Sequence, residues 1–137
     1  MYSLRKSKKG FTLIELMVVV AIIGVLSLLG LRLYANQQDK AKEAIVKANA
    51  GTVQVQIQTE LADAAAIYEL DDALAAVQAI NLRNPFDGSE GVGAVKEDAG
   101  TETGEGVVGV SFSSPVFTVK AYGKGGKDME YTLTAQR

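Results

Sequence analysis

Lys8-Lys9-Gly10-Phe11-Thr12-Leu13-Ile14-Glu15 sets a basic end against an apolar run and then places one carboxylate inside that run. Residues 11–31 read FTLIELMVVVAIIGVLSLLGL, and Glu15 is their only ionisable side chain. A helix of about 20 such residues crosses a bilayer. A lone charge at that depth costs about 2.5 to 3.5 kcal/mol on insertion scales, so a carboxylate kept there points to a function.

Working outward, the 137 residues leave room beyond this segment for one small domain of roughly 100 residues. The chain has no cysteine and no histidine, which removes disulfides, thiolate metal sites, the cysteine nucleophile and the commonest general base. That inventory argues against an enzyme. No aromatic cage, histidine cluster or arginine fork marks a ligand pocket, which weakens the rival reading of a single-pass sensor or binding protein. Arg5, Lys6, Lys8 and Lys9 make the first ten residues basic; the rest carries ten basic against sixteen acidic residues, a net charge of −6. The positive-inside rule keeps the basic end cytoplasmic and puts the acidic remainder across the membrane. An acidic exported domain is a poor partner for nucleic acid, despite Lys120, Lys124 and Lys127 near the C-terminus.

A basic start and an apolar stretch also describe a secretory signal, but Leu33-Tyr34-Ala35-Asn36 is no A-x-A cleavage site and the stretch exceeds a typical signal core. Retention is the better reading. Here Gly10-Phe11-Thr12-Leu13-Ile14-Glu15-Leu16 resembles the cleavage and methylation motif of type IV prepilins and related pseudopilins. The resemblance implies that a membrane peptidase and methyltransferase cuts between Gly10 and Phe11 and methylates the new Phe11 amine. Residues 1–10 are then a cleaved basic leader, 11–33 a transmembrane and filament-core helix, and 34–137 an exported globular domain. Glu15 would stand four residues from that amine, on the same helix face. It pairs either with its own chain's amine or, as the family implies and as preferred here, with that of a neighbouring subunit, where a buried ion pair sets axial register more than stability. Gly24 and Gly30 are candidates for close helix approach. The family's frequent proline is missing at Arg32.

The implied function is a prepilin, the structural subunit of a type IV pilus polymerised into a helical homo-oligomeric filament. The alternative is the major pseudopilin of a type II secretion or competence system. The implied partners are the peptidase, an assembly platform and its ATPase. The precursor is expected as a single-pass protein of the cell (inner) membrane, and the filament as extracellular or periplasmic. No cofactor is expected. Related pseudopilins carry calcium in a loop that corresponds to residues 88–106, where Asp87, Glu90 and Asp98 are weak ligand candidates among Glu97, Glu102 and Glu105. No EF-hand spacing is present, and a solvated acidic loop is the preferred reading.

Beyond residue 31 the sequence turns polar without a break, and proline occurs only at Pro85 and Pro115. Thr52-Val53-Gln54-Val55-Gln56-Ile57-Gln58 alternates like a half-buried strand. Val46, Ala50, Val53, Ile57, Leu61, Ala64 and Tyr68 also recur at helical spacing. With the resemblance as tie-breaker, one helix is expected from Phe11 to about Ala66. Asp71 and Asp72 read as the N-cap region of a short helix over residues 73–80. Asn84-Pro85-Phe86-Asp87-Gly88 is a turn with Phe86 beneath it. Residues 88–106 read as an exposed connection with a short strand at 92–95. Three strands at 107–112, 116–122 and 129–135 read as an antiparallel meander covered by the helix. The expected fold class is α+β: a long N-terminal helix, half transmembrane and half amphipathic, on a small antiparallel sheet of three to four strands. Tyr34, Tyr68, Tyr122 and Tyr131 read as packing residues, not a conducting series.

Overall fold

The computed structural model describes residues 10–63, 69–100 and 103–136. Helix α1 (Leu13–Asp63) is followed by α2 (Leu70–Gln78), β1 (Val95–Glu97), β2 (Val108–Ser113), β3 (Val116–Tyr122) and β4 (Asp128–Gln136). The chain divides into two compact units, Met1–Gln37 and Gln38–Arg137. In the first, α1 carries its apolar side chains exposed, Leu13, Ile14, Leu16, Met17, Ile22, Ile23 and Leu26 among them. Among the described residues α1 is the one helix long and apolar enough to cross a membrane. The basic leader residues, together with Ala64, Ala66, Tyr68 and Glu102, lie outside the described residues.

In the second unit the helix–strand ambiguity resolves to helix. Val53 and Ile57 are fully buried while Val55, between them, is 64% exposed, so burial repeats every four residues and not every two. Val46, Ala50 and Leu61 complete the stripe. They share one core with Ala73 and Val77 of α2 and with Val95, Val108, Val110, Phe117, Val119, Ala121 and Ala135 of the sheet. Each such aliphatic side chain removed from water contributes about 1.5 to 3 kcal/mol, which overrides the weak helix propensity of the β-branched residues at 52–58.

The sheet runs in the order β1-β2-β3-β4. A two-residue turn at Ser114-Pro115 joins β2 to β3 in the register Ser113↔Val116 to Val108↔Ala121. A 3-10 turn, Lys124–Gly126, leads into β4; Gly125 and Gly126 stand at φ 71° and 72° there, which glycine alone adopts without strain. The expected meander is therefore present, with an addition. The sheet is mixed, because β1 pairs in parallel with β2 through Val95↔Val108 to Glu97↔Val110. Three further expectations are corrected. The short strand falls at Val95–Glu97, since Gly91–Gly93 forms a 3-10 turn. The N-cap of α2 is Glu69, whose N–H reaches the Asp72 carboxylate at 3.4 Å; Asp71 and Asp72 lie in the first turn. Residues 88–106 are not wholly exposed, because Gly91, Ala94, Val95, Asp98 and Gly106 are buried. Phe86 packs half-buried against the core as expected, with the Lys42 ammonium 5.2 Å from its ring centre.

Candidate processing and assembly site

The peptide ahead of α1 has no helical partner for its first donors, and the sequence supplies one locally. The Thr12 hydroxyl accepts the Glu15 backbone N–H at 3.3 Å, and the Glu15 carboxylate accepts the Thr12 N–H at 2.8 Å and the Thr12 hydroxyl at 2.9 Å. This reciprocal capping box starts the helix at Leu13, three residues after Gly10, and satisfies donors that a helix N-terminus otherwise leaves open. The Thr-x-x-Glu spacing that encodes it was legible at positions 12–15, though only Glu15 stood out by charge. Phe11 projects into open space at 85% exposure. Gly10 lies just before the helix, with nothing within 4 Å of a Cβ built on it. Gly24 and Gly30 lie inside α1, equally free of neighbours. Gly10, Phe11 and Glu15 thus share one exposed end, in reach of another molecule, and Glu15 makes no ion pair among the described residues.

The acidic candidates are separated from this end in sequence and engaged elsewhere. The Asp87 carboxylate accepts the Ser89 N–H and hydroxyl at 2.8 and 2.7 Å, bonds that hold it below the usual carboxylate range. Asp98 is buried, accepts the Tyr122 hydroxyl at 2.9 Å and the Gly100 N–H at 3.0 Å, and lies 3.5 Å from the Lys120 ammonium. Glu90 flanks a 3-10 turn as its cap residue. Among the described residues no three acidic side chains converge as a metal site, Asp87, Glu90 and Asp98 included.

Two polar residues were named by the sequence reading without their burial. Asn84 is fully buried; its amide donates to the Glu105 carbonyl at 2.7 Å and its side-chain oxygen accepts the Phe86 N–H at 2.9 Å. Gly106 lies so close that a Cβ there would strike the Asn84 amide. Asp98 is the other, and Gly109 lets the Tyr122 ring approach it, since a Cβ at 109 would sit 2.8 Å from the ring. An Asn-Pro dipeptide and one acid in an acidic run carry no burial signal by themselves.

A family model, the prokaryotic N-terminal methylation motif, matches residues 5–31, the segment that holds Gly10, Phe11 and Glu15. Type IV major fimbrial protein FimA of Dichelobacter nodosus is 40% identical over 60 residues, 44% of this chain and 38% of its own length. These matches make the chain similar to type IV fimbrial proteins over less than half of its length. Fimbrial protein EcpB of Eikenella corrodens adds 44% identity over 55 residues, 40% of this chain and 35% of its own. The chain spans somewhat over a third of the length of these curated relatives. No solved structure matches it. The pilin-like α+β arrangement therefore rests on the fold itself: a long helix, apolar in its first half, whose second half packs on a four-stranded mixed sheet.

Proposed function

We propose that the chain is a prepilin, the precursor of a type IV pilus subunit. The observation that carries this reading is the Gly10-Phe11-Thr12-Leu13-Ile14-Glu15 start of a helix whose apolar side chains up to residue 34 are uncovered among the described residues. Cleavage between Gly10 and Phe11 removes the basic leader and leaves the anchor, whose new amine is then methylated. A helix this apolar is stable in a bilayer or against like helices, and the step from one to the other makes a filament. A heterologous contact of this kind need not close, so one pair of surfaces gives unlimited length. Gly24 and Gly30 leave room for a second helix to approach. Glu15 takes the Phe11 amine of the next subunit as counter-ion and sets the axial step.

The precursor is a single-pass membrane protein and the product an extracellular filament. Prepilin peptidase, an assembly platform and an ATPase are its partners. The fimbrial names of its relatives support a pilus over the alternative pseudopilus. The mass of the mature N-terminus tests the processing: an N-methylated start at Phe11 is expected, and any other start contradicts it. Glu15→Ala tests the assembly role. Precursor cleavage and membrane insertion should persist, while filaments in the sheared extracellular fraction fall at least about tenfold, the loss of one buried charge partner. Wild-type filament yield would refute the assignment.

A further inference from the structure

The alternating glutamines of residues 52–58 have a use that the pilin reading does not absorb. The Gln54 side-chain amide donates to the Thr134 carbonyl at 2.8 Å, and the Gln58 amide to the Gln136 carbonyl at 3.4 Å. Four residues along a helix advance about 6.0 Å and two along a strand about 6.8 Å, so one helical turn matches one strand repeat. Those carbonyls belong to the open edge. Tyr122 donates its backbone N–H to Val107, so residues 122, 120, 118 and 116 of β3 face β2, and Phe117 and Val119 face β4. Ala135 and Leu133 stand opposite these two, which turns the backbone groups of Thr132, Thr134 and Gln136 away from the sheet.

We propose that Gln54 and Gln58 shut the β4 edge against strand addition by a second copy of this chain. The edge is self-complementary: β4 is nine residues long, and residues 131–136 carry no charge that would repel a copy laid antiparallel on it. Its only formal charges, Asp128 and Glu130, stand at the far end. The opposite edge, β1, is three residues long and carries Lys96 and Glu97, which already limits pairing there. On β4 that protection comes instead from two amides presented by α1.

The chain has no cysteine, so a single introduced one reports edge contact cleanly. Full-length Thr134→Cys protein in detergent micelles is oxidised mildly, with and without the pair Gln54→Ala and Gln58→Ala, which keeps a good helix former at both sites. Disulfide-linked dimer is expected to rise about tenfold or more when the amides are removed, two edge hydrogen bonds being lost. Ser113→Cys, exposed at the β2–β3 hairpin, serves as the comparison and should not change. Equal cross-linking of Thr134→Cys in both backgrounds overturns the proposal. An equal rise at Ser113→Cys overturns it too, because general loosening then explains the dimer.

Discussion

At the residue scale the second unit is held by a few buried polar groups whose partners come from distant parts of the chain. Asp98, Tyr122 and Lys120 tie the end of β1 to β3. The Asp98 carboxylate beside it raises the Lys120 ammonium above its ordinary 10.5, and burial raises the Tyr122 phenol above 10.0. Both shifts are upward, so their effect on stability has one sign. Below about pH 10 both groups stay protonated in the folded and unfolded chain and stability is flat. As pH rises further the unfolded chain releases these protons first, and the folded state loses ground. Chemical denaturation from pH 8 to 11.5 should show that decline, and Lys120→Met should make it shallower while lowering the plateau. An unchanged alkaline slope in the variant would remove Lys120 from the account.

At the element scale α1 does two different things with one backbone. Its second half buries a stripe at Val46, Ala50, Val53, Ile57 and Leu61 and leaves Val55 outside. Ile57→Ala should therefore cost about 2 to 5 kcal/mol, the range for truncating a buried aliphatic side chain, whereas Val55→Ala should be neutral or slightly stabilising. Urea titration of both variants checks the contrast, and equal losses would mean the stripe is misplaced. This segment also shows what the sequence could and could not carry. Residues 52–58 satisfy both a strand and a helix template, and only long-range burial decides between them. The meander was legible because Ser114-Pro115 and the Lys124–Gly126 turn are local signals. The position of the parallel strand was not, since only Val95 of its three residues is buried and the core it joins comes from α2 and β2, which are distant in sequence. The capping box at Thr12 and Glu15 was spelled out locally; the burial of Asn84 and Asp98 was not, because each depends on partners more than 20 residues away.

At the scale of the whole molecule, the two units have opposite relations to water. Among its described residues the first exposes its apolar side chains, and the second encloses most of its own in one core to which helices and sheet both contribute. A fragment that starts at Gln38 should consequently be soluble without detergent and unfold cooperatively, since it loses none of the core residues. The full chain needs micelles or lipid, because an uncovered apolar surface of that extent associates in water. Analytical ultracentrifugation and thermal melts of both forms make the comparison, and a fragment that aggregates would show that the core is incomplete without residues 1–37.

The parallel pairing of β1 fixes an order in time. The two hairpins of β2, β3 and β4 close through short local turns, whereas β1 has to be carried back over residues 98–107 and laid beside a strand that already exists. The β1–β2 pairing is therefore expected to form last in the unit and to open first. Native-state amide exchange should find Lys96 and Asp98, whose N–H is held by the Val110 carbonyl at 2.8 Å, opening well before Val119, deep in the middle of the sheet.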